Sequence, residues 1–334
     1  MQLQLLIDPL VNQLHCLSWQ LGVPVVEDRL QYPPQIGKGY VQGYFFPNDL
    51  SLYHYQAEYL HPLQFNTINP SDSGVYCLFV TLSQEVLEKT INQEIHQLSR
   101  YSPESILYYA PGNSIFQQFE ATGPQQFVVI TFTRHTLTRL LSEAALKLVV
   151  PKNGGFLFMD LDLEAEKLAL LLVEPGSELL APLNRYGQTL SFLTRVFQKV
   201  LTRSTTKSTV GMLQPDIEQL FLARQHLLKR LAGAVSVREL AQVAGFSETK
   251  LKRLFPRLFG TSVHHYQQQA RVEKAKELLA SRRYSVSEVG YLVGYSNMTH
   301  FAKAFFRHHG VKPSQFLQAI KAGKELTSVS SVIP

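Results

Sequence analysis

Lys250, Lys252 and Arg253 crowd into the stretch SETKLKRLF, and Asn297, Met298, Thr299, His300 and Lys303 into SNMTHFAKAF. Ammonium and guanidinium groups at this density make a donor-rich face, able to meet phosphate oxygens or the O6 and N7 acceptors of guanine. The methyl groups of Thr249, Thr299 and Met298 can pack against a thymine methyl. Between the polar residues, apolar ones recur every three or four positions: Leu251, Leu254 and Phe255, then Phe301, Ala304 and Phe305. That spacing buries one face of each helix and turns Glu248, Thr249, Lys250, Lys252 and Arg253 outward.

The elements that must position these faces repeat. VRELAQVAG over 237–245 matches VSEVGYLVG over 286–294 at an offset of 49, and beyond the turn Phe255 matches Phe305 and Gly260 matches Gly310 at 50. Each copy predicts a short helix, a glycine turn at Gly245 or Gly294, and a second helix capped by Ser247 or Ser296, with Asn297 beside the latter as a phosphate-facing group. Pro256 stands inside the second helix of the first copy, where the other copy has Phe306. Proline removes a backbone donor and crowds the carbonyl of Lys252, so this helix should kink or end early.

Charge divides the chain in the same place. From Ile217 to the end there are 18 Lys and Arg against 7 Asp and Glu, a balance of +11; residues 1–216 carry 14 against 19, a balance of −5. A basic third beside a mildly acidic remainder is the footprint of a nucleic-acid module on a different body.

The run SVRELAQVAGFSETKLKRLFPRLFGTSVHHYQQQARVEKAKELLASRRYSVSEVGYLVGYSNMTHFAKAFFRHHGVKPSQF resembles the DNA-binding domain of the AraC/XylS family of bacterial transcription regulators, over about residues 220–318. The resemblance implies seven helices carrying two helix-turn-helices on a rigid connecting helix. The two recognition helices would enter successive major-groove turns, about 34 Å apart. Carried over by position, the family's base-facing residues are Thr249, Lys250, Lys252 and Arg253, then Met298, Thr299 and Lys303. Arg253 is the best candidate for base readout; Lys252 and Lys303 could instead touch phosphates alone. The family further implies double-stranded DNA as partner, RNA polymerase if the regulator is an activator, a small-molecule effector, and a homodimer.

Up to residue 132 the text reads as strands: GYVQGYFF, LYHYQAEYL, GVYCLFVTL, SILYYA and QQFVVITF are short, aromatic and β-branched, between Pro, Asn, Gly and Ser clusters. The segment SQEVLEKTINQEIHQL fits a helix or a charged hairpin. Leu137 to Leu148 predicts one helix, stopped by Pro151, and Leu183 to Thr202 another. The expected fold is therefore α+β. A cupin-like β-barrel (1–132) is followed by helices (133–202), a linker at 203–216, and an all-α domain at 217–320.

An aromatic interior built from Tyr44, Phe46, Tyr53, Tyr55, Phe65, Tyr76, Phe79 and Tyr108 could cradle an effector or simply fill the barrel. Leu190, Leu193, Phe197 and Leu201 form a stripe that would pair two copies of the chain or cover its own barrel.

Other chemistry finds little support. His54, Glu58 and His61 lack the His-x-His spacing of a metal-holding barrel, and His61 would point away from the other two on a strand. No nucleophilic triad, Gly-rich phosphate loop or Walker motif is present, so no enzyme activity, cofactor or metal is expected. Cys16 and Cys77 are too few for a zinc-dependent DNA-repair fusion and read as buried thiols. No apolar stretch is long enough to span a bilayer, and MQLQLLIDPL has neither a basic n-region nor a cleavage site, which predicts a cytoplasmic protein without membrane contact.

Overall fold

The computed structural model describes residues 1–83, 85–121, 123–174, 180–205, 214–233 and 235–321. The chain divides into two compact units, Met1–Lys207 and Ser208–Pro334. Most of the expected linker, residues 206–213, lies outside the described residues.

The first unit strings together β1 (Gln2–Leu6), α1 (Gln13–Leu21), β2 (Val25–Val26), β3 (Arg29–Gln31), β4 (Gly37–Phe46), β5 (Leu50–Tyr59), β6 (Leu63–Asn69), β7 (Val75–Thr81), β8 (Leu87–Ile91), β9 (Glu94–Leu98), β10 (Ile106–Tyr109), β11 (Asn113–Phe119) and β12 (Gln125–Thr133). Then come α2 (Arg134–Leu140), α3 (Glu143–Val149), β13 (Phe156–Met159), α4 (Leu163–Leu171) and α5 (Ala181–Thr205). Within the charged segment, Leu87–Leu98 forms a hairpin, β8–β9. Its two turn residues, Asn92 and Gln93, both have positive φ (50° and 70°), the condition for a tight two-residue connection.

The strands form two sheets, in orders β1-β6-β11-β8-β9 and β13-β10-β7-β12-β5-β4-β3-β2. Among the described residues no strand pairing joins one sheet to the other, so the expected closed barrel is corrected to two open sheets. The alternation of buried residues is the same in both arrangements, because closure depends on hydrogen bonding at sheet edges rather than on which side chains point inward. Along β12, Phe127 and Val129 enter the core between the sheets, while Val128, Ile130 and Phe132 enter a second core under the helices. The large sheet is thus buried on both faces.

Two further expectations change, and a third is decided between its alternatives. The single helix over Leu137–Leu148 is two helices, because Leu141 is extended (φ −127°, ψ 150°) and Ser142 caps α3 by accepting from the Ala145 N–H. The aromatic set does not converge on one interior. Tyr53, Tyr55, Phe65 and Phe79 lie between the sheets, whereas Tyr76 and Tyr108, with Tyr44 and Phe46, belong to the helix-covered face. Finally, of the two partners open to the α5 stripe, a second copy or the chain's own sheet, it packs against the sheet: Leu193 and Phe197 are buried there, flanked by Leu190 and Leu201. An amphipathic helix buries its apolar face on the nearest apolar surface, here the outer face of the large sheet.

The second unit is α6 (Gln214–Lys229), α7 (Val237–Val243), α8 (Glu248–Phe259), α9 (Val263–Ala280), α10 (Val286–Leu292), α11 (Met298–His309) and α12 (Pro313–Lys321). Seven helices, all among the described residues, match the expectation. Among the described residues no helix is long and apolar enough to cross a membrane.

Candidate nucleic-acid interface

α7 and α8 form one helix-turn-helix, and α10 and α11 the other. Gly245 (φ 62°) and Gly294 (φ 88°) make the turns in the left-handed region, where a side chain would be strained. Leu251, Leu254 and Phe255 bury the inner face of α8; Phe301 and Phe305 bury that of α11.

Ser247 caps α8, accepting from the Lys250 N–H. The equivalent cap of α11 is Asn297, whose Oδ1 accepts from the Thr299 and His300 N–H groups at 2.8 and 3.1 Å. The cap expected at Ser296 is corrected accordingly. The second turn holds one more residue than the first, so the offset passes from 49 to 50 before the cap rather than after it. Pro256 neither ends nor shortens its helix. α8 and α11 are both 12 residues long, and each closes on a left-handed glycine, Gly260 or Gly310. Proline forfeits its own N–H, but its carbonyl still accepts from Gly260 at 2.9 Å, so the last turn forms.

At an offset of 50, Thr249 and Arg253 correspond to Thr299 and Lys303. All four are exposed, and among the described residues neither Arg253 nor Lys303 meets a carboxylate. Lys252 is exposed too, in a long (3.4 Å) contact with Glu248 one turn away, a pairing weak enough to exchange for a phosphate. Lys250 is placed differently. Its ammonium lies 2.7 Å from Asp216 of α6 and 4.2 Å from the centroid of the Phe246 ring, which ties the start of α8 to α6. Met298 is half-buried, and its thioether fills the space above Gly290, 2.6 Å from where a Cβ would stand. Of the seven expected base-facing residues, five thus lie on open outer faces and two are engaged within the unit.

α9 holds the two halves together through a residue whose role the sequence did not disclose. Arg271 donates to three backbone carbonyls: Nε to Leu231 at 2.8 Å, Nη2 to Gly233 at 2.9 Å and Nη1 to Gly294 at 3.2 Å. One guanidinium thereby joins the loop before α7 to the turn of the second helix-turn-helix. At the far end of α11, His308 bonds Glu273 of α9, and His309 donates to the Val272 carbonyl at 3.1 Å. Glu273, His308 and His309 could in principle hold a metal ion. Their existing bonds make them ties between α11 and α9, and burial, the largest cause, lowers the His309 pKa to about 4.

In the first unit, His54 is buried beside Gln126 (3.1 Å), while Glu58 and His61 are exposed, so the three do not form a site. Between the sheets lies a cavity of about 30 Å³, lined by Tyr55, Phe65 and Phe79 among the expected aromatics, and by Lys89 and Gln117. A wider opening of about 200 Å³ adjoins it, sharing Ile7 and Gln13 and bounded by Tyr53, Asp8, Asp49 and Thr131.

These geometries define a tandem helix-turn-helix module, and comparison with known proteins agrees. Residues 240–319 match the model of a family described as "Helix-turn-helix domain". The probable transcriptional regulator LumQ of Photobacterium leiognathi is 35% identical over 92 residues, 28% of this chain and 36% of that protein. The HTH-type transcriptional activator RhaR of Yersinia pestis bv. Antiqua (strain Angola) is 29% identical over 119 residues, 36% of this chain and 41% of its own length. The chain therefore spans about two fifths of these relatives. Among solved structures, the DNA-binding domain of AdpA in complex with a target DNA is 28% identical over 31% of this chain and 95% of that one, with a TM-score of 0.30. ToxT from Vibrio cholerae O395 is 12% identical over 81% of this chain and 98% of that one, also with a TM-score of 0.30. Residues 240–319 thus form a helix-turn-helix domain of the AraC type.

Proposed function

We propose that the chain is a transcription regulator of the AraC type, reading double-stranded DNA through α8 and α11 and answering to an effector held by the first unit. The observation that carries this reading is the pair of equivalent exposed faces, Thr249 with Arg253 and Thr299 with Lys303, on helices joined through α9 and Arg271. A fixed distance between two reading heads is what successive major-groove turns require.

In this reading Arg253 and Lys303 bond guanine O6 or N7, and the threonine methyls meet thymine. Lys252, with the backbone N–H groups at the Ser247 and Asn297 ends, faces phosphates, where the positive end of each helix adds to the attraction. Lys250 and Met298 are assigned to holding and packing the recognition helices. Residues 217–320 act as the DNA-binding domain and 1–202 as the sensing domain. The effector acts by population shift, favouring one presentation of the DNA-binding unit. Activation, with RNA polymerase as partner, is the mode we assign. A second copy of the chain would dock through a surface other than the α5 stripe. No catalytic role is assigned. The rival within the same class is a constitutive regulator whose first unit only mediates self-association.

Selection of the full-length protein against randomised duplexes, followed by fluorescence anisotropy at several salt concentrations, tests the reading. It expects an enriched two-part motif and an affinity that falls steeply with salt as phosphate contacts release counterions. No enriched motif together with a flat salt response would refute it.

A further inference from the structure

Lys89 of β8 is the least expected residue in the molecule. It is 4% exposed in the core between the two sheets, where an unpaired ammonium is costly. Its Nζ bonds the Gln117 side-chain carbonyl and lies 3.5 Å from the centroid of the Phe79 ring. Among the described residues no carboxylate is paired with it. The other half of the same amide, Gln117 Nε2, is buried with no hydrogen-bond partner. The Lys89 amine and an unused N–H donor thus lie side by side on the wall of a mainly aromatic and aliphatic cavity, in which Gln13 and Thr67 are the other polar side chains besides the phenols. Also lining the cavity, Gln13 accepts from the Tyr55 hydroxyl at 3.2 Å, and the same Gln13 borders the wider opening.

We propose that Lys89 and Gln117 form the anion end of a ligand site between the sheets of the first unit, whose occupant is a small monocarboxylate entering past Gln13. One cation and one amide donor match the two oxygens and single charge of a carboxylate; a phosphate dianion would be left short of both charge and donors. The apolar body of the ligand runs past Gln13 into the wider opening, against Ile7, Phe45, Tyr53 and Val75. The empty cavity has room for one or two water molecules, which the carboxylate head would displace. The titratable groups lining the cavity beside Lys89 are the phenols Tyr55 and Tyr109, both pushed up by burial and therefore neutral. Burial also holds the Lys89 ammonium well below the usual lysine range. The incoming carboxylate favours the charged form of Nζ and so opposes the effect of burial on it. The proposal rests on the reading of the first unit as an effector-binding unit.

The test is calorimetry on the full-length protein with acetate, butyrate, hexanoate, benzoate and phenylacetate. Benzyl alcohol and hexanol serve as uncharged controls. The wild type should bind at least one acid. Lys89→Met and Gln117→Leu should each weaken that binding roughly tenfold or more, as expected for lost hydrogen bonds to a charged group, while retaining DNA binding as proof of folding. Two results overturn the site: no acid binds, or Lys89→Met binds as well as wild type. Binding of the alcohols alone would also overturn it, yet leave the effector reading standing. Acid binding with unchanged DNA affinity would keep the site and remove the effector reading.

Discussion

Replacing Lys89 by methionine should change how the stability of the first unit depends on pH. The ammonium sits in an apolar core with a neutral amide and an aromatic ring as neighbours, so desolvation lowers its pKa well below the ordinary lysine value. In the unfolded chain the same amine titrates near 10.4, so between the folded and unfolded values the unfolded state binds one proton more. Stability contributed by this group therefore rises with pH across that window, by about 1.4 kcal/mol per pH unit. The sign follows from the penalty being largest where the unfolded amine is fully charged. It fades as pH climbs toward the unfolded value.

Methionine has no such titration. The difference in unfolding free energy between Lys89→Met and wild type should shift in favour of wild type as pH rises from the lowered folded value toward the unfolded one, by at most about 1.4 kcal/mol per pH unit. Cys77, pushed by burial up to about 12, opposes the trend, because its stabilising contribution is lost as pH rises above the unfolded thiol value. It is present in both proteins and cancels in the difference. Tyr55 and Tyr109, raised by burial, begin to titrate only above this window. Urea unfolding followed by the anisotropy of Trp19 isolates the right unit, since Trp19 is the chain's only tryptophan and lies on α1. Parallel pH profiles for the two proteins would refute the reasoning, because they would mean that the amine remains charged in the fold.

Arg253→Ala and Lys303→Ala should each cost about 1–3 kcal/mol and relax preference at one half of the binding site; uniform weakening over all sequences would demote that residue to a phosphate contact. Lys250→Met should act on stability instead. A double-mutant cycle with Asp216→Asn should return a coupling of about 0.5–1 kcal/mol for this half-buried pair, and a coupling of zero with lost base preference would return Lys250 to the reading face. Gly294→Ala should lower the melting temperature more than Gly245→Ala. Both strain a left-handed residue by about 1–2 kcal/mol, but only at Gly294 would the new Cβ strike a backbone oxygen, that of Ala232, at 2.6 Å. Equal shifts would discount that close approach.

The helix-turn-helix units were legible in the sequence because their determinants are local. Apolar spacing, a glycine needing positive φ and a capping side chain all lie within a dozen residues of one another. The strands of the first unit were legible for the same reason, through alternation and turn residues. Where one short-range signal competed with another, the reading slipped: Ser296 offered a capping hydroxyl one residue ahead of Asn297, and Ser142 split a helix whose apolar spacing ran through it unbroken.

Which surface each face finds was a tertiary decision. The stripe of α5 could equally have met a second copy; proximity of the outer sheet face gave it an intramolecular partner. The aromatic residues could have lined one pocket; strand alternation sent them to opposite faces of a sheet buried on both sides. Lys250 looked like its neighbour Lys252 until Asp216, 34 residues earlier, was brought beside it. Lys89 in LEKTI reads as an ordinary solvent-facing lysine, and Arg271 as one more basic residue of a helix. Only the packing of two sheets over one side chain, and of two helix-turn-helices about the other, buries the first and makes the second a bridge between segments. The sequence by itself determined periodicity, caps and charge, because these act over a few residues. The structure alone decided burial and pairing between distant segments, because desolvation and Coulomb forces depend on what surrounds a group rather than on what precedes it in the chain.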